Sequence, residues 1–552
     1  MAKRTSQRLQ LQHPSANRSN GNIDSFRTGI GNIGLLLLAA FLFSAAFPNP
    51  FSSFGFWPLI FTAIIPVGVA IPRMRWWSAP LYGFFYGFIT YSLFNYWLIN
   101  FHPLAIFIVP VIYGAYFFVL FPLLWLAQHW FARGAFFVQV ALWMGYEYFR
   151  IQFFLGYAYG IVGYALFPAP LLIQIADLGG VWLVSLLIVF PSFLVAAQIT
   201  RCGWKQWYHD RRRGEWIAYG LYALSTLVYG VVSPVDYQDS KQWNVALVQQ
   251  NIDPWLGGFR TYQRSLEILR RQSDRAIQEY DPDVVIWSET SFVPSISYHT
   301  RFRSDPERYE LVRELTTYLE RQETPFIIGN SDGVRRRGPD GELERADYNA
   351  VLVFEPFGVL QGTYRKMHLV PFTEHFPYRE QLPWMYQLLR DNNTNFWEAG
   401  TEYTIFELDD VRFGANICYE DTFGYISRES VRHGAEVIVN LTNDLWSHSE
   451  SAAMQHMAMA VFRAVENRRS VVRSTNGGMT SIIDPNGVIL DLYPPFIEGF
   501  LVGDVPVYTG TNTLYTATGE WPGVLFSILA PLLLIGGGVK RKIDTSRESI
   551  GQ

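Results

Sequence analysis

The chain is 552 residues long, 49% hydrophobic and 16% aromatic, with only 17% charged residues and a net charge of −4. That balance excludes an ordinary soluble enzyme, and the length leaves room for more than one domain. The basic residues form no patch, so no nucleic-acid partner is expected.

Residues 1–29 make a polar, basic tail, read as disordered up to about Asn22. Within 30–232 apolar runs follow one another, most of them near the roughly 20 residues that a bilayer crossing needs. They are Ile30–Phe47, Phe54–Ile71, Leu81–Phe101, Leu104–Trp125, Phe136–Phe154, Leu171–Ile199 and Trp216–Val232. An eighth, within 521–539, is Trp521–Val539, ahead of a short tail at 540–552. Buried core helices do not come in so long a series with so few charges, so an α-helical bundle of about eight spans is expected. Arginine and lysine then set its orientation, because they gather on the cytoplasmic side. Arg4 and Arg27 precede the first span, Arg73, Arg133, Lys205 and Arg211 fall in alternate loops, and Lys540, Arg541 and Lys542 follow the last. This parity keeps both tails inside and exports the domain at 240–510.

The exported segment is soluble in character. Asn244–Val248, Val284–Trp287, Phe326–Gly329, Ala350–Phe354, Phe413–Cys418, Val437–Leu441, Ser470–Ser474 and Met479–Asp484 read as strands. Tyr262–Tyr280, Arg308–Arg321, Thr422–His433 and Ala452–Arg468 read as helices between them, which predicts an α/β domain with a mixed sheet.

Two residue types are used there with unusual economy. Between residues 242 and 539 Lys366 is the single lysine among many arginines, and Cys418 is one of only two cysteines in the chain. Its potential partner, Cys202, falls on the cytoplasmic side, so a disulfide is not expected. Cys418 ends a buried strand, Lys366 follows a strand-like stretch, and Glu289 closes Asp283–Trp287 through Ser288. Three ionisable groups at strand ends can meet on one rim of a sheet, where a carboxylate and an ammonium activate a thiol. No His-Glu-x-x-His pattern or phosphate loop appears, so neither metal nor cofactor is expected. A Cys–His dyad through His368 or His375 remains open but leaves the lysine unexplained.

Val285-Ile286-Trp287-Ser288-Glu289, Tyr364-Arg365-Lys366-Met367-His368-Leu369-Val370-Pro371-Phe372 and Gly414-Ala415-Asn416-Ile417-Cys418-Tyr419-Glu420 resemble the Glu, Lys and Cys motifs of the nitrilase superfamily, in that order. With flanking membrane spans, the whole is similar to the apolipoprotein N-acyltransferase family. The resemblance implies an α-β-β-α sandwich on a membrane base, with Glu289 as general base, Lys366 as oxyanion stabiliser and Cys418 as nucleophile. It implies supporting or substrate-binding roles for Glu374, Tyr419, Glu420, Asn443 and Trp446. The implied partners are a phospholipid acyl donor and a diacylglyceryl-prolipoprotein acceptor, at a bacterial inner membrane with the catalytic domain in the periplasm. Ser288 stands where the family has Pro, and Ser447-His448 where it has an aromatic-Gly pair. An aromatic near the first strand is also implied for lipid binding, with Trp255 and Phe259 as candidates.

Glu147 and Arg150 lie three apart in the fifth span, and an ion pair there is costly enough to suggest a structural or lipid-side role. The uncharged stretch 156–170 after it, with Tyr157, Tyr159, Tyr164 and Phe167, reads as an interfacial aromatic belt, with guidance of acyl chains toward Cys418 as a second reading. Two alternatives use the same chain: a membrane-anchored amidase for a small exported amide, and a non-enzymatic scaffold or transporter.

Overall fold

In the computed structural model the described residues are 16–550, apart from 102–104, 132–133, 153–155, 203–211, 254–255, 338–342, 372, 377 and 392–395. Arg4, Arg133, Lys205, Arg211, Trp255 and Phe372 therefore lie outside the described residues. Two six-stranded mixed sheets are formed by β1 (Lys241–Gln249), β2 (Val284–Trp287), β3 (Phe326–Arg337), β4 (Leu343–Glu355), β5 (Val359–Arg365), β6 (Ile405–Leu408), β7 (Val411–Ile417), β8 (Val437–Thr442), β9 (Ser470–Thr475), β10 (Ser481–Ile483), β11 (Ile489–Leu492) and β12 (Gly499–Val507). The first runs β12-β1-β2-β3-β4-β5, with β1, β2 and β3 parallel. The second runs β11-β10-β9-β8-β7-β6, with β7, β8 and β9 parallel.

Strand alternation decides which faces meet. Val245 and Leu247 of β1, Val284 and Ile286 of β2, and Val351 and Val353 of β4 face the second sheet, where they pack with Phe413, Val437, Val439 and Val472. Their neighbours Ala246, Val248, Val285, Trp287 and Leu352 face the helices Phe259–Tyr280 and Pro306–Leu319. A one-residue slip of β1 would exchange these sets, so both buried faces pin the register. The far side of the second sheet is covered by the helices Gly424–Arg432 and Glu450–Asn467, completing an α-β-β-α sandwich.

That last helical layer shares one continuous core with the N-terminal apolar helices. Four described helices are long and apolar enough to cross a membrane: Thr28–Ala46, Ala105–Trp130, Val181–Arg201 and Trp521–Arg547. Trp216–Val232 falls within the unbroken 20-residue helix Arg213–Val232, and the remaining expected spans are shorter or interrupted. Residues 57–73 make short helical pieces, Ala79–Phe94 has 16 residues and Ala135–Phe149 has 15. Leu171–Ile199 is not one helix: Pro170–Ile173 and Ala176–Gly179 precede Val181–Cys202, because Gly180 takes φ 69° and breaks the rod. The first helix begins at Ala16, inside the stretch expected to be disordered.

Candidate active site

Three strand ends carry the site, as the sequence suggested. Glu289 follows β2, and Thr290 after it takes φ 45°. Gly329 of β3 lies against this turn: a Cβ there would meet the Ser288 carbonyl oxygen at 2.2 Å and Glu289 Cα at 2.7 Å, so only glycine fits. Lys366 follows β5, its N–H donating to the Asn349 carbonyl at 2.8 Å. Cys418 follows β7 and takes φ 50°, a strained turn that lifts its side chain out of the sheet.

The Lys366 ammonium is fully buried and lies 2.9 Å from Glu374 Oε1 and 2.9 Å from Glu374 Oε2. Glu289 Oε1 is 3.6 Å from it. Burial works against the ammonium, but Glu374, Glu289 and Cys418 outweigh it and hold the Lys366 pKa above its usual value. The Glu289 carboxyl is pushed up, first by burial and also by the like charge of Glu374, against the opposing charge of Lys366 and the neighbouring Asn349 and Cys418 side chains. Burial and then the Glu289 charge push the thiol itself well up. The cysteine therefore rests protonated beside a base of raised basicity.

Asn349 of β4 is a member of this site that sequence reasoning missed. Its Nδ2 donates to Glu289 Oε1 at 2.8 Å and to Glu374 Oε1 at 3.3 Å, and its backbone carbonyl fixes Lys366. The available signal was a buried amide heading the apolar run of β4. Val370 N–H donates to Glu374 Oε2 at 2.8 Å, which holds that carboxylate on the lysine.

The hydrogen-bond partners of Glu420 are backbone N–H groups and a hydroxyl rather than the lysine. The carboxylate accepts from Ile417 N–H (2.7 Å), Met367 N–H (2.7 Å), His368 N–H (3.1 Å) and the Tyr364 hydroxyl (2.9 Å). Burial pushes it up to about 7 against Lys366 and these donors. Glu420 thus rivets the lysine loop to the cysteine turn. His368 points its Nδ1 at the Tyr425 hydroxyl, 2.8 Å away, and stacks on Phe423, while burial pushes it down to about 4. It is engaged there rather than in a Cys–His dyad. Asn443 accepts from Asn476 Nδ2 at 3.2 Å, and Asn476 in turn brackets Ile252.

Tyr419 and Trp446 reach into the apolar helical unit. The Tyr419 hydroxyl donates to the Gly156 carbonyl, and the Trp446 ring lies 5.6 Å from Trp97 and 5.2 Å from Phe101. Exposed His448 takes φ 42°, the conformation a glycine enters freely, so the turn persists here at some strain. Phe259 instead packs on the core beneath the helices of the first sheet.

Glu147 and Arg150 do not bridge each other. Arg150 Nη1 donates to the Tyr91 and Tyr113 hydroxyls (2.9 and 2.7 Å) and the Tyr159 carbonyl (3.0 Å), and Glu147 Oε1 accepts from Val162 N–H (3.2 Å). Both therefore anchor the 156–164 stretch. The expected belt at 156–170 is not a surface one: Tyr159, Tyr164 and Phe167 are buried, Tyr164 against Phe462 and Arg463 of the catalytic unit.

The sandwich and its Glu–Lys–Cys rim define a carbon–nitrogen hydrolase type of domain, and residues 244–513 match the carbon-nitrogen hydrolase family. Residues 39–194 match the apolipoprotein N-acyltransferase N-terminal domain. An apolipoprotein N-acyltransferase 1 of Treponema denticola is 40% identical over 91% of this chain and 95% of its own length. That of Treponema pallidum is 37% identical over 94% and 98%. A solved amidase from Nesterenkonia sp. covers 50% of this chain and 94% of its own at 17% identity and a TM-score of 0.35. The chain belongs to the apolipoprotein N-acyltransferase family.

Proposed function

We propose that this enzyme moves a fatty acyl chain from a membrane phospholipid to the α-amine of the diacylglyceryl-cysteine of lipoproteins, through a thioester on Cys418. It works in a bacterial inner membrane that it crosses about eight times, with residues 240–510 on the periplasmic side. Glu289 takes the thiol proton as sulfur attacks the ester carbonyl. The oxyanion of the tetrahedral adduct is met by the Lys366 ammonium and the Tyr419 N–H. Collapse breaks the ester C–O bond, and Glu289 returns its proton to the departing lysophospholipid oxygen. The acceptor amine then attacks the thioester, Glu289 takes its proton, and the C–S bond breaks to restore the thiol. Glu374 holds the lysine in place throughout.

One observation favours this over hydrolysis of a small amide. The nucleophile turn is built against the apolar helical unit, with Tyr419 bonded to Gly156 and Trp446 wedged on Trp97 and Phe101. A substrate that arrives through lipid needs that junction, whereas a soluble amide does not. Purified protein incubated with phospholipid should gain a fatty-acyl mass that hydroxylamine removes and that Cys418→Ala abolishes. No adduct, with ammonia released from amides, overturns the reading in favour of an amidase. Full function in the Cys418→Ala variant supports the scaffold reading instead.

A further inference from the structure

Behind the thiol lies a charged cluster that this chemistry does not use. Asp421 sits in the turn that starts at Cys418, Asp444 follows β8, Arg473 is in β9, and His456 comes from the helix Glu450–Asn467. His456 Nε2 meets Asp421 Oδ1 at 2.7 Å, and its Nδ1 meets Asp444 Oδ1 at 2.8 Å. Arg473 pairs with the second oxygen of each, touching Asp421 Oδ2 and reaching Asp444 Oδ2 at 3.3 Å. All four side chains are buried. With a carboxylate on each ring nitrogen, the imidazole must carry both protons, and only then do the four charges sum to zero.

We infer that His456 is a positioning residue for acyl transfer: by tying Asp421 to Asp444 it locks the Cys418 turn to the Asn443–Trp446 loop and so aims the thiol at Glu289. The inference rests on the thioester reading above. Cys418 occupies a strained conformation that the sheet alone does not enforce, so something must hold the turn down. The loop at the other end of the clamp carries Trp446, seated on the apolar unit. Gln455, next to His456, accepts from Trp97 Nε1 at 3.1 Å and donates to the Pro48 carbonyl at 2.9 Å, which registers the clamp's helix to that unit.

Among the described residues, the titratable groups facing the imidazole are Asp421 from the turn, Asp444 from the loop, Arg473 from the strand and Tyr159 from the apolar unit, its ring 6.1 Å away. Burial disfavours the imidazolium, yet Asp421 and Asp444 outweigh it and push His456 up to about 9. Burial raises Asp444, but the charge and hydrogen bond of His456 together with the charge of Arg473 outweigh it and hold Asp444 below its usual value. Loss of the proton sets a lone pair against a buried carboxylate and frees one of the two loops.

The test follows thioester formation on the full-length enzyme in phospholipid–detergent micelles by intact mass, from about pH 6 to about pH 10. In the wild type the rate should decline with a midpoint of about pH 9. His456→Gln retains an amide near Asp421 and should lose on the order of 10- to 100-fold in rate with KM for phospholipid changed less than about twofold. It should also lack the alkaline decline and outperform His456→Leu. A wild-type rate that stays level past about pH 10, or a His456→Gln loss expressed in KM, overturns the inference. Should the variants fail to fold, the wild-type profile decides alone. Absence of any adduct on the wild type at every pH would sink the thioester reading itself, a distinguishable result.

Discussion

A thiol pushed up by burial and by a neighbouring carboxylate cannot ionise unaided, so the chemistry depends on which group takes its proton and when. Glu289 is suited to that task because its own carboxyl is raised, first by burial and also by Glu374, against the pull of Lys366. A base acts only when deprotonated, so thioester formation should rise with pH through a limb lying above the usual carboxylate range near about 4.3. Glu374→Gln removes a like charge and should move that limb to lower pH. The same variant loosens Lys366 and should slow adduct formation about 100-fold, the scale of losing an oxyanion donor. An unchanged limb, or a rate within about twofold of wild type, would contradict the roles given to these two carboxylates. His456 makes a separate statement about stability. Its folded pKa of about 9 lies above its ordinary 6.5, so the clamp contributes fully below about pH 6.5 and is lost as pH rises through about 9. The midpoint of thermal unfolding should fall over that window in the wild type and stay flat there in His456→Gln.

At the scale of elements, the catalytic sandwich is fastened to the helical unit by buried arginines. Arg468, which caps the helix Glu450–Asn467, donates from Nε and Nη2 to Asp177 Oδ2 at 3.1 and 2.6 Å and from Nη1 to Gln174 and Asn486. Arg468→Gln leaves Asp177 buried without its cation and should lower unfolding stability in detergent by about 3–5 kcal/mol, with adduct formation at low temperature preserved. Much of this architecture was legible beforehand. β2 falls on the residues its apolar run predicted, and the helix Glu450–Asn467 begins two residues before its periodic pattern, at the Ser449 cap. What escaped had no local pattern to show. β11 is a largely exposed edge strand, β12 contains Gly503 and Pro506, and the polar half of β3 after Ser331 is a strand only because Leu343–Asn349 pairs with it. Site residues followed the same rule. Glu289, Lys366 and Cys418 stand at strand ends and could be read from the chain, whereas Asn349 and His456 owe their places to contacts from other strands and another layer.

Taken whole, the molecule wears two surfaces. Around the helical unit Phe41, Leu81, Phe118, Ile217, Leu221, Val228, Ile528 and Leu532 are exposed, and the 20-residue helix Arg213–Val232 buries only Thr226 and Gly230. Soluble proteins do not leave so much apolar surface uncovered, and a bilayer is the solvent that fits it. The catalytic unit instead turns charged side chains outward, with ion pairs such as Arg270–Glu314 and Arg313–Glu310 on its outer helices. Which side of the membrane those helices face decides the substrate, because a lipoprotein amine becomes available only after export. The charge parity of the loops predicts that they face outward. A single cysteine at exposed Gln278, introduced into a Cys202→Ala, Cys418→Ala background, should therefore react with a membrane-impermeant maleimide in intact spheroplasts. One at Arg541, in the C-terminal tail, should react only after permeabilisation. The opposite labelling pattern would place Cys418 on the cytoplasmic side, where no exported acceptor could reach its thioester.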